Sequence, residues 1–224
     1  MRQPTERIRV KRRHFSALAA SAPLTLGLPR VAWAQDAPVT AADYTKLGTP
    51  VPVSTPPGTV DVVEFFSFAC PHCFEFEPVL EDWLKRKPAD VRFRRSPVPF
   101  LQNFRNFQPM YFALESMGLA ETMARKVFDA FQVQRLRLDN DQDIAAFMAS
   151  NGVDARKFMA AFSNNFATNV KVNQANQLFE ASTAHGVPTL MVQGRFLTSP
   201  WMARGGARAL DVVEALAARI LAEG

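Results

Sequence analysis

Polar and apolar residues follow three rhythms along this chain, and each predicts a different kind of element. Val60-Asp61-Val62-Val63-Glu64-Phe65-Phe66-Ser67-Phe68-Ala69 is a nearly continuous apolar run, rich in valine and phenylalanine. Its length and composition predict a strand buried on both faces, the central strand of an α/β sheet. Pro71 suits the first position of a following helix, where no N–H partner is needed. Helical spacing then carries Phe74, Phe76, Val79, Leu80, Trp83 and Leu84 to about Lys87, with Pro78 expected to kink the helix. Val91-Arg92-Phe93-Arg94-Arg95 alternates as a second strand, ended by Pro97 and Pro99, and the helix between the two strands allows parallel pairing.

From Asn103 the rhythm turns helical and stays so for roughly 80 residues. Phe107, Tyr111 and Leu114 share one face; Met123, Val127 and Phe131 another; then come Ile144, Phe147 and Met148, followed by Phe158, Phe162 and Phe166. These aromatic and methionine stripes read as core. Asn140 and Asp154 are expected N-caps, and Gly118 and Gly152 fit helix ends. The last helix of the block is expected over about residues 166–184. Strand character returns at Pro188-Thr189-Leu190-Met191-Val192. Gln193-Gly194 is a turn signal, after which Arg195-Phe196-Leu197 pairs back as a hairpin. A final helix over 206–221 carries Leu210, Val213, Leu216 and Ile220 on one stripe. Ahead of all this, residues 35–58 are rich in proline and threonine and read as an extended lead-in, with one edge strand near 44–47. The order is β-α-β, a helical block, then β-β-α. Without the block, a thioredoxin-like fold remains.

Charge changes the picture at the N-terminus. Arg2, Arg7, Arg9, Lys11, Arg12 and Arg13 precede an apolar stretch over 15–28, and Ala32-Trp33-Ala34 supplies a small-x-small site. That order predicts an export signal cleaved after about Ala34. Its apolar part is short and broken by Pro23, unlike a membrane span. Arg12-Arg13-His14-Phe15 also resembles the twin-arginine motif, so both export routes stay open. Seven basic residues and Glu6 leave with the signal, so the formal net charge of +5 becomes −1. The basic balance therefore implies no nucleic-acid partner.

Cys70 and Cys73 are the only cysteines in 224 residues. Two residues apart, they cannot staple distant segments, and so short a ring adds little chain-entropy stabilisation. Half of a zinc site would need more ligands, and only His72 and His185 remain beyond the signal. The expectation is therefore no metal. A redox pair fits better. Cys70, at the start of the helix, faces free N–H groups and the positive end of the dipole, which favour its thiolate. Cys73 lies one turn in and is expected to be the more buried. His72 between them adds a further thiolate-stabilising group. Glu64 interrupts the apolar strand and reads either as a buried proton relay to Cys73 or as a strand-end residue reaching solvent. Glu77 falls on the Cys73 side of the helix and reads slightly better as a solvated residue. Val187-Pro188 reads from the residues alone as a turn.

The run from Glu64 to Cys73, ending Cys70-Pro71-His72-Cys73 and followed by Phe76-Glu77, closely resembles the active-site segment of the DsbA family, periplasmic thiol:disulfide oxidoreductases of the thioredoxin superfamily. Gly186-Val187-Pro188-Thr189 resembles that family's cis-proline loop, and the helical block resembles its inserted domain. The likeness covers essentially all of the chain beyond the signal. It implies an α/β, thioredoxin-like fold over 35–102 and 172–224, with an all-helical insertion over 103–171 and the signal over 1–34. It implies Cys70 as nucleophile, Cys73 as its buried partner, and Pro71 and His72 completing the catalytic centre. Val187 and cis Pro188 would flank the substrate groove, and Glu64 and Glu77 would be the acids of a proton relay. The implied function is donation of the Cys70–Cys73 disulfide to exported proteins during oxidative folding. A disulfide isomerase or reductase, or a thioredoxin-like chaperone, are the alternatives. The likeness further implies a periplasmic monomer without a cofactor, reoxidised by a DsbB-like membrane quinone oxidoreductase. Two segments depart from the family's motifs: Arg92-Phe93-Arg94-Arg95-Ser96-Pro97 and Thr198-Ser199-Pro200-Trp201.

Overall fold

The computed structural model describes residues 38–99, 104–163 and 165–223; the expected export signal over 1–34 lies outside them. Among these described residues the elements follow in order: β1 (Thr45–Lys46), β2 (Val60–Phe66), α1 (Pro71–Arg86), β3 (Val91–Pro97), α2 (Phe107–Ser116), α3 (Ala120–Phe128), a π-helical turn (Asp129–Val133), α4 (Asp141–Ser150), α5 (Ala155–Phe162), α6 (Phe166–Ala181), β4 (Thr189–Val192), β5 (Phe196–Thr198) and α7 (Gly206–Glu223).

The strands form one sheet in the order β1-β5-β4-β2-β3. β2 pairs parallel with β3 and antiparallel with β4, which pairs antiparallel with β5. The centre of the sheet therefore belongs to β4, and β2 is second from the edge, not central as its apolar run predicts. All seven of its residues are nonetheless buried. Val60 and Val62 pack with Phe76, Leu80 and Trp83 of α1 and with Leu210 and Val213 of α7. Val63 and Phe65 face the other way, toward Phe179 and Leu178 of α6. Trp83 Nε1 donates to Glu214 Oε1 at 2.7 Å, tying α1 to α7.

The helical block has its own aromatic core, which reaches into the sheet half through Phe66, Phe68 and the two cysteines. Two of its helix starts are capped as the sequence predicts: Asn140 accepts from the Asp143 N–H and Asp154 from the Lys157 N–H. Gly118 and Gly152 take positive φ at helix ends, where a side chain would be strained. One stripe is misread. Phe166 does not continue the face of Phe158 and Phe162; it is 82 % exposed. The chain leaves α5 at Ser163 and Asn165 caps a new helix, which resets the periodicity. That helix, α6, ends at Ala181 and runs unbroken across the expected 171/172 boundary.

Candidate active site

The turn that passes the chain from β2 to α1 sets the geometry of the two sulfurs. Ser67 shapes it twice, its carbonyl accepting from Cys70 N–H at 3.0 Å and its hydroxyl from Ala69 N–H at 3.2 Å. Cys70 then sits at the N-cap in an extended conformation and Pro71 is the first helical residue. No side chain caps this helix start, so its free N–H groups point at the Cys70 sulfur. Both cysteines are free thiols and both are buried, Cys70 only 1 % exposed. The loop before β4 lies over Cys70, while Cys73 sits deeper, as the sequence predicts, where burial bears on it most strongly. The Cys70 thiol lies 3.4 Å from the Val187 carbonyl. The Val187–Pro188 peptide is cis.

The two thiols are pushed in opposite directions. A hydrogen bond from Cys73 is the main cause lowering the Cys70 thiol to about 6, helped by the N–H groups of Cys73 and His72 and by the His72 side chain, against the cost of burial. Burial drives Cys73 well above the ordinary thiol range, and the negative charge of Cys70 and Glu64 adds to it.

Beneath Cys73 lies a charge cluster that the sequence reading only half located. Glu64 is wholly buried on β2, and Glu77, on α1, is 1 % exposed, not solvated. Between them stands Arg95, from the second half of β3. Its Nε donates to Glu64 Oε2 at 3.1 Å, and its Nη2 donates to both Glu77 oxygens at 2.9 and 3.1 Å. Arg95 Nη1 lies 3.4 Å from Glu121 Oε2, which is more than half exposed. One guanidinium cannot offset two buried carboxylates. Burial, resisted by Arg95, pushes Glu64 up to about 8 and Glu77 up to about 7. The cluster therefore keeps a proton at neutral pH. Glu64 Oε1 is buried without a hydrogen-bond partner among the described residues.

An open groove of about 710 Å³ runs from His72 past Val187 and Pro188 to Pro200 and Trp201. None of its lining residues is Asp, Glu, Lys or Arg. Trp201 stands 88 % exposed at its lip. A hydrogen-bonded turn holds it there, with Gly205 N–H donating to the Pro200 carbonyl at 2.8 Å. Among the described residues, no group of three or more His, Cys, Asp or Glu side chains is placed to hold a metal ion. No helix among them is long and apolar enough to cross a membrane.

Comparison with known proteins gives a consistent result. A family model described as a DSBA-like thioredoxin domain matches residues 61–217. A thiol:disulfide interchange protein DsbA of Burkholderia cepacia is 38% identical over 186 residues, covering 83% of this chain and 86% of that protein. The protein of the same name from Pseudomonas aeruginosa is 38% identical over 154 residues, 69% of this chain and 72% of its own. A crystal structure of Pseudomonas aeruginosa DsbA superposes with a TM-score of 0.76 at 35% identity, covering 81% of this chain and 93% of that one.

Proposed function

The chain belongs to the DsbA-like thioredoxin-domain family and is a thiol:disulfide oxidoreductase, and we propose that it acts as a protein dithiol oxidase through Cys70 and Cys73. The observation that supports this direction is the opposite bias on the two sulfurs. A Cys70 thiol lowered to about 6 is a thiolate at neutral pH. Stabilising the reduced form in this way makes the disulfide readier to accept electrons.

The cycle starts from the oxidised protein. A substrate thiolate attacks Cys70 Sγ, the Cys70–Cys73 bond breaks, and a mixed disulfide forms. Cys73 leaves as a thiolate into surroundings that disfavour its charge and takes up the proton held by Glu64, Arg95 and Glu77. A second substrate thiolate attacks the substrate sulfur of the mixed disulfide and expels Cys70, a good leaving group because its thiolate is stable. The two substrate thiols lose two electrons and two protons: the protein takes both electrons, one proton resides on Cys73 by way of the cluster, which is then reprotonated, and the other passes to solvent because Cys70 stays a thiolate. Val187 and Pro188 flank the groove in which an extended substrate segment lies. Lining free of charged side chains favours an uncharged segment there, with Trp201 as an apolar platform.

We further take the substrates to be reduced exported proteins, met by a periplasmic monomer after removal of residues 1–34. A DsbB-like membrane quinone oxidoreductase would restore the disulfide. Residues 35–102 and 172–224 form the thioredoxin-like part in this reading and 103–171 the insertion, with α6 shared between them.

Anaerobic incubation of the oxidised protein with a reduced multi-cysteine substrate tests the proposal. Mass spectrometry should find one substrate disulfide gained for each Cys70–Cys73 pair reduced. Substrate thiols unchanged, with Cys70–Cys73 still oxidised, would sink it.

A further inference from the structure

A side chain from the helical block grips the backbone of the active-site turn. The π-helical turn Asp129–Val133 continues directly from α3, and its wide ring is closed by Gln134 N–H donating to the Asp129 carbonyl at 2.9 Å. Such turns are rare and often mark functional sites. This one brings Gln132 over Phe68, two residues before Cys70. Gln132 Nε2 donates to the Phe68 carbonyl at 2.8 Å. Phe68 is wholly buried, so water cannot serve that carbonyl. The Phe68 ring is held just beside it, packing edge-on at 4.9 Å to Phe128, the last residue of α3. Phe131, inside the turn, packs on Phe107 at 5.0 Å, and Phe107 also touches the Phe68 ring.

The position of Phe68 matters because the thiolate depends on geometry. Cys70 is stabilised by Cys73 and by the first N–H groups of α1, and these reach its sulfur only while residues 67–70 hold their turn. Ser67 braces that turn from within. Gln132 braces it from outside.

We propose that Gln132 is a positioning residue for Cys70, through which the helical block sets the acidity of the attacking thiol and hence the oxidising strength of the pair. This rests on Cys70 being the attacking thiolate. Without the Gln132 amide the Phe68 carbonyl is left unpaired, the turn relaxes, and Cys70 moves off the helix start.

The experiment is a pH titration of thiolate absorbance near 240 nm on the reduced protein, with the glutathione equilibrium measured on the same samples. Gln132→Met, close in size but lacking the donor, should raise the Cys70 midpoint by about half a pH unit or more, and weaken the disulfide as an oxidant by about threefold, the same change read by linkage. Phe128→Leu loosens the same junction but keeps the hydrogen bond, and should lower thermal stability with the midpoint in place. Should Gln132→Met not fold, Gln132→Asn, with the amide one methylene short, must shift the midpoint in the same direction. A midpoint unmoved by the Gln132 variants, or moved as far by Phe128→Leu, overturns the proposal. The Cys70→Ser protein separates the two readings: if it keeps the transition, Cys70 is not the low thiol and the proposed function itself fails.

Discussion

Two arginines, neighbours on β3, make ion pairs with two acids of β2, and the pairs could hardly differ more. Arg94 meets Asp61 through Nε and Nη2 at 3.1 and 3.0 Å, on the face of the sheet away from α1, with the Arg94 side chain 47 % exposed. Arg95 meets Glu64 and Glu77 on the α1 face, with all three side chains at most 1 % exposed. The alternation of strand residues alone decides which arginine goes where. The outer pair has water on its flank and one acid for one base. The inner group has two buried acids for one base, and solvent reaches it only at its edge, through Glu121. The inner group is held away from its preferred charge state, and it is the one beneath Cys73.

The largest expected effect breaks the inner group. Arg95→Met leaves two buried carboxylates without a counter-charge and should cost about 3 kcal/mol in urea unfolding at pH 8, with the loss shrinking toward pH 5 as Glu64 and Glu77 take up protons. Arg94→Met should cost less, about 1–2 kcal/mol, because water reaches the Arg94 side of the pair although the Asp61 side chain is only 7 % exposed. Equal losses would erase the distinction.

A smaller effect concerns chemistry. Glu64→Gln keeps the shape and removes the proton that titrates at about 8. Stopped-flow oxidation of a dithiol peptide should slow by about a hundredfold, the low end of general acid–base contributions, and the limb of its pH profile near 8 should disappear. Asp61→Asn should leave both unchanged.

The smallest is a redox comparison with the sign set by each group. Cys70 falls from 9.0 to about 6 on folding, so its thiolate stabilises the reduced protein above pH 6, and the contribution is lost as pH falls through 6. Glu64 rises from 4.5 to about 8, so its contribution is full below 4.5 and lost as pH climbs to 8. Glu64 titrates in both redox forms and largely cancels in their difference. The stability gap between reduced and oxidised protein should therefore drop by about 1.4 kcal/mol between pH 7 and pH 5. Chemical denaturation of both forms checks this.

The sequence carried the parts of the site whose signals are local. The spacing of Cys70 and Cys73, the helix start at Pro71, and the caps at Asn140 and Asp154 each depend on a few adjacent residues. Arg95 was missed, although a signal existed: Arg94 and Arg95 cannot both face solvent from one strand, and Glu64 lay waiting on its neighbour. Glu77 was misjudged because a helix position does not say what covers it; Arg95 does, from another strand. Phe166 misled because the period of four ran on past a capping Asn165. Gln132 had no signal at all, since nothing in the residues marks a π-helical turn or its reach across 64 positions to Phe68.

The sheet order has a consequence for synthesis. β1 pairs Thr45 with Leu197, and β2 pairs Val63 with Met191. Contacts so distant in sequence form late and slowly. While a ribosome still holds the last third of the chain, Val187 cannot cover Cys70, and β4 cannot shield the strand that leads to it. Throughout that interval the two thiols are bare on an unfinished protein. The newborn chain is then itself open to any disulfide reagent nearby, and becomes a selective one only when β4 and β5 arrive.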